Sequence, residues 1–206
     1  MPLTAQDAPA PPPPFLPTTG LTGLDEVFRG VRRGDNIVWQ VQSLDEYAAL
    51  VTRYARAAVE QQRRLVYFRF AEHWPLLDAV PQVEIHHPRP GDGFDAFVDQ
   101  VHSVIEAAGP ETMYVFDSLS DLAGAWQSDR MMANFFRLTC PRLFDLDTVT
   151  YFAIRRNTHV ESAIQMITDT TQFLLDVFRC RDKLYIRPVK VQHRSAAAMN
   201  LIHAWE

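Results

Sequence analysis

Asn36 to Glu60 reads NIVWQVQSLDEYAALVTRYARAAVE, a short apolar run that turns through Gln42 and Ser43 into a long amphipathic segment. Leu50, Val51, Tyr54, Ala57 and Ala58 recur at three- and four-residue spacing, which puts one apolar stripe on a helix and predicts that it packs on a sheet. Ser43 suits the N-cap position and Glu46 stands three residues later, completing a capping box. The stretch is therefore strand, turn and helix.

A nucleotide-binding α/β protein carries a glycine-rich loop followed by lysine and Ser or Thr at such a turn. Here no glycine occurs between Asp35 and Gly91, and Asp45 and Glu46 open the helix in place of a cation. Carboxylates in a first turn favour the positive end of the helix dipole by roughly 0.3–1 kcal/mol each. At about 5 Å and an effective dielectric near 20, each would repel a phosphate charge by roughly 3 kcal/mol. The turn keeps the architecture and is not expected to hold a triphosphate, with Val41, Ser43, Asp45, Glu46, Tyr47 and Ala48 at the positions in question.

The flanking sequence continues the strand-helix alternation. Leu65–Phe70 and Thr148–Ile154 are buried-strand runs, Val83–His87 alternates, and Phe94, Phe97, Val98, Val101, Val104 and Ile105 mark an amphipathic helix before Gly109. Met131–Thr139 reads as a helix ended by Pro141, and His159–Thr168 as another. Thr171–Cys180 and Lys183–Val191 alternate around Arg181–Asp182, a hairpin signal. In Thr112–Leu122 an apolar strand delivers Asp117 at its C-terminal end, where ligands of open parallel sheets bind. A structural role for Asp117, accepting hydrogen bonds in the turn, is the expectation once a lysine-bearing loop is missing. Glu72 reads as a solvated residue capping a short helix.

The lead-in TGLTGLDEVFRGVRRGD, residues 19–35, resembles the corresponding segment of the KaiC-like branch of RecA-fold ATPases, and DSLSDL at 117–122 resembles that family's Walker B strand. The resemblance implies an α/β, three-layer RecA-like domain with a mostly parallel central sheet and a C-terminal β-hairpin. It places Val41 at the phosphate loop's first glycine and Glu46, Tyr47 and Ala48 at its last glycine, lysine and threonine. It leaves Glu72 as the remnant of an acidic pair that activates water. A Lys-x-Arg that reaches a neighbouring subunit's nucleotide lies near Lys190 in the family, but the spacing differs here and that role is not carried over. PVKVQHRS, residues 188–195, also resembles degenerate KaiC-like domains ahead of phosphoenolpyruvate synthase-like catalytic regions; on that reading the chain continues past Glu206, since no clear terminal element precedes it.

Composition narrows the classes. The 206 residues are 47% hydrophobic with a net charge of −5, enough for one core and without the basic surplus that nucleic acid or an anionic membrane would attract. Apolar runs fall short of the roughly 20 residues that span a bilayer, and no signal peptide opens the chain, so a cytoplasmic protein is expected. Cys140 and Cys180 are read as reduced, mostly buried thiols. Residues 1–17, with their Ala8–Pro14 proline run, read as a disordered arm before a domain at 18–206. His86, His87 and Asp92, with Glu84 nearby, could ligand a metal, but adjacent histidines on a strand point to opposite faces and no i, i+4 helical pair supports them, so no metal is expected; the sequence has no Ser-His-Asp order or G-x-G-x-x-G.

The expected function is that of a non-catalytic RecA/KaiC-like module, a pseudo-ATPase without bound ATP or Mg²⁺. It would act in self-association, as a homo-oligomer, or dock on and regulate a partner or fused enzyme. The alternative is a nucleotide- or anion-binding regulatory domain that uses Arg155 and Arg156, or Lys190, His193 and Arg194, in place of the Walker loop.

Overall fold

A computed structural model describes residues 14–77, 82–194 and 201–205. Its centre is an eight-stranded, mostly parallel sheet in the order β3-β2-β4-β5-β1-β6-β7-β8. The strands are β1 Asn36–Val41, β2 Leu65–Phe68, β3 Val83–His86, β4 Met113–Ser118, β5 Val149–Arg155, β6 Phe173–Cys180, β7 Lys183–Val191 and β8 His203–Trp205. Parallel pairing runs from β3 across to β6, and β7 and β8 add antiparallel. Six α-helices accompany them among the described residues: α1 Thr22–Phe28, α2 Leu44–Glu60, α3 Phe94–Ala108, α4 Leu119–Trp126, α5 Asp129–Asp145 and α6 Glu161–Thr170.

Successive strand residues point to opposite faces, and the core divides accordingly. Ile37, Trp39, Val41, Tyr67, Val115 and Tyr151 join the apolar face of α2 and Leu24 and Phe28 of α1. Val38, Val66, Phe68, Tyr114, Phe116 and Phe152 meet the buried residues of α3 to α6. Of the stripe read on α2, Leu50, Val51, Tyr54 and Ala58 are buried and Ala57 is half-buried, while Tyr47 and Ala55 add to the buried face; each large side chain among them contributes roughly 1.5–3 kcal/mol. Tyr54 stacks on Tyr151 at 4.0 Å and donates its hydroxyl to the Val149 carbonyl, so α2 is fixed in register on β5.

The lead-in motif has a mechanical explanation. The Asp25 carboxylate accepts the hydroxyls of Thr18 and Thr19 and the Thr19 amide, folding the chain back onto α1. Gly20 has φ +74, and a Cβ there would lie 2.8 Å from the Tyr54 backbone, so the segment passes α2 too closely for any other residue.

Four readings need correction. Pro141 does not end α5; the helix runs on to Asp145. The missing amide costs about 3 kcal/mol, and burial of Leu143 beyond it holds the helix on the sheet. Packing begins before residue 18, because Phe15 is buried and lies under the Arg33 and Arg63 guanidiniums; residues 1–13 of the arm lie outside the described residues. Cys140 is buried but Cys180 is exposed, at the last position of β6 where the chain turns outward. A terminal element does exist: β8 pairs with β7, Trp205 opposite Leu184. Among the described residues no helix is long and apolar enough to cross a membrane.

Candidate functional site

Because β5 lies between β4 and β1, the turns after these three strands share one edge of the sheet. That edge gathers residues 41–48, 117–121 and 155–159, which include most of the residues singled out from sequence.

At the first turn the two carboxylates separate. Asp45 is exposed, whereas Glu46 is 3% exposed and folds back over the turn. The Glu46 carboxylate accepts the Gln42 amide at 2.8 Å and the Ser43 amide at 3.5 Å. A phosphate in a nucleotide loop is held by such backbone amides; here the chain's own anion has them. Tyr47 is fully buried and donates to the Phe116 carbonyl at 2.9 Å, tying α2 to β4. Burial, with Asp117 nearby, holds its phenol well above the ordinary range, so it stays neutral. Val41 is buried and Ala48 half-buried.

Asp117, fully buried on β4, accepts at both oxygens. Tyr67 donates its hydroxyl to Oδ1 at 2.7 Å, and the Phe70 and Ala71 amides donate to Oδ2 at 3.0 and 3.2 Å. His73 Nε2 stands 3.4 Å from Oδ1 and 3.9 Å from Asp121 Oδ2. The carboxylate thus clamps the segment after β2, in keeping with a structural role. Glu72 is exposed in a bend, and no helix follows it in residues 73–77, so the capping reading does not hold.

The Asp117 carboxylate raises the His73 pKa; burial opposes this, and Asp121 adds to it. A histidine whose folded pKa exceeds its unfolded value stabilises fully below the unfolded pKa and loses that contribution as pH rises through the folded one. His73→Gln should therefore cost more stability at about pH 5.5 than at about pH 8.5, read from urea unfolding at both; an equal cost would show that His73 is neutral throughout.

The five cations do not form one site. Arg155 pairs with Asp121 at 2.9 Å, and Arg156 bonds Asp176 at 2.9 Å while lying over the Phe178 ring. With Arg187 they line a cavity of about 310 Å³ that also includes Asp176 and Glu161. Lys190, Arg194 and His193 lie near the opposite edge, where β7 ends beside the start of β6. Lys190 donates to the Thr168 and Asp169 carbonyls at the end of α6, a favourable place for a cation. Arg194, nearly enclosed, pairs with Asp35, donates to the Gly30 carbonyl and covers the Phe173 ring. His193 adopts φ 55, and its carbonyl accepts from Arg32. Glu84 engages Arg64 and His86, and among the described residues no group of three His, Cys, Asp or Glu side chains is placed to hold a metal.

One constellation was missed. Ser120 Oγ lies 2.7 Å from His159 Nε2, and His159 Nδ1 lies 2.7 Å from Asp129 Oδ1. Ser120 sits in the first turn of α4, Asp129 opens α5 and His159 follows β5. No linear pattern joins them; the available signal was that all three follow closely on the ends of elements that share this edge. No family model matches the chain, and no curated protein matches it.

Proposed function

We propose that this chain is a RecA/KaiC-like module of three layers, closed by a C-terminal hairpin, that has given up triphosphate chemistry and serves in self-association, docking or regulation of a partner or fused enzyme. The Glu46 carboxylate on the Gln42 and Ser43 amides carries the reading, because a phosphate would have to displace an anion already bonded there. Tyr47 in place of an ammonium, and an Asp117 engaged at both oxygens, support it. Calorimetric titration of the chain with Mg-ATP and Mg-ADP should give no dissociation constant tighter than roughly 100 μM, about −5.5 kcal/mol; tighter binding at the 42–48 turn would overturn the reading. Light scattering tests self-association, and a strict monomer at high concentration would leave docking on another protein.

The second reading, a regulatory anion site, rests on the cavity lined by Arg155, Arg156 and Arg187 against two carboxylates. Its mark would be phosphate or nucleotide binding that Arg156→Ala abolishes and that substitutions at 42–48 leave unchanged.

A further inference from the structure

Asp129 can only accept a hydrogen bond while ionised, so its contact assigns the imidazole proton of His159 to Nδ1 and leaves Nε2 as the acceptor. Burial pushes the Asp129 pKa up, but the bonds from His159 and the Val160 amide outweigh it and the net shift is downward. Ser120 Oγ already accepts the Arg155 amide at 2.8 Å, which turns its hydroxyl proton toward Nε2. This is the arrangement in which a general base activates a serine. The imidazole is covered, its side chain 4% exposed, while Ser120 lies on the wall of a cavity of about 590 Å³. Ala123 and Gly124 leave room for a short acyl group there, and Gln127, Thr158 and Arg130 supply a polar rim. The Arg155 amide holds Oγ in place, and the positive end of the α4 dipole favours the negative charge that passes to the ester carbonyl oxygen.

We infer that Ser120, His159 and Asp129 form a nucleophilic site that takes acyl groups from small, short-chain esters. Ser120 Oγ bonds to the ester carbonyl carbon as its proton passes to His159 Nε2. The bond from that carbon to the alkoxy oxygen then breaks, and the alcohol leaves with the proton. Water attacks the acyl-serine, gives a proton to Nε2, and the carboxylic acid departs as that proton returns to Ser120. This activity is independent of the phosphate-loop reading and would survive its failure.

The test is to treat the full chain with a fluorophosphonate and map the adduct by mass spectrometry, alongside hydrolysis of p-nitrophenyl acetate. One adduct is expected, on Ser120. Hydrolysis should fall at least about 100-fold in Ser120→Ala and in His159→Gln. Ser120→Cys covers the case in which alanine disturbs folding; its thiol should alkylate with iodoacetamide faster than Cys180, and lose that advantage when His159→Gln is added. A folded chain that takes no label, labels elsewhere, or hydrolyses ester equally well in His159→Gln would reduce the trio to a brace between α4, α5 and β5 and overturn the proposal.

Discussion

Asp117→Ala is expected to lower folding stability by about 3–5 kcal/mol, since each buried donor left without an acceptor costs roughly 1–3 kcal/mol. Three donors lose their partner: the Tyr67 hydroxyl and the Phe70 and Ala71 amides. With a urea slope near 2 kcal/mol/M, the midpoint should move down by about 2 M. Asp117→Asn sharpens the test. Its carbonyl can still accept from Tyr67, but its NH₂ then faces two amide donors, so it should also destabilise, by less than alanine. A residue kept for Mg²⁺ would behave differently: alanine would cost little, and about 1 mM Mg-ATP would raise the midpoint of the native chain through linkage. A loss below about 1 kcal/mol in Asp117→Ala would refute the clamp.

The same carboxylate shows what the sequence could and could not disclose. Its place was legible, because a run as apolar as Met113–Phe116 can only be a buried strand and the polar residues after it mark the edge where it ends. Its partners were not, since Tyr67 and the Phe70 and Ala71 amides approach only once β2 pairs with β4, Phe68 opposite Phe116. Glu46 was read as the capping-box partner of Ser43, which its bond to the Ser43 amide bears out, but its reach to the Gln42 amide and its burial were not read. Helical periodicity hints at that burial, as Glu46 falls beside Tyr47 and Leu50 on the inward face and Asp45 does not. Pro141 was overread, because local propensity sees the missing amide and not Leu143 seated beyond it. Ser120, Asp129 and His159 are legible only from topology, which sets β5 against β4 and so brings α4 to the loop after Arg155. The two cation groups, read as alternatives, lie at opposite edges, because β7 runs antiparallel and carries Lys190 away from the edge that holds Arg155.

That other edge carries the second large effect. Arg194→Met should cost about 3–5 kcal/mol, because removing one member of an enclosed ion pair strands the other charge. Arg194 and Asp35 have side chains only 3% and 4% exposed. Burial works against both charges: it raises the Asp35 pKa even though the Arg32 amide and Arg194 pull it down, and it lowers that of Arg194. The pair therefore offsets its own desolvation poorly, which fixes the rest of the cycle. Asp35→Asn removes the carboxylate's burial penalty but leaves the guanidinium with the Gly30 and Gln192 carbonyls and the Phe173 ring, so it should cost less than Arg194→Met. Asp35→Asn combined with Arg194→Met should recover most of the loss, within about 1–2 kcal/mol of the native chain, as replacement of both partners is often near neutral. Urea unfolding of the four proteins gives the coupling directly. Additive losses would mean that the two charges do not depend on each other, and that the packing of Arg194 on Phe173, not its pairing with Asp35, holds the end of β7 against the start of β6.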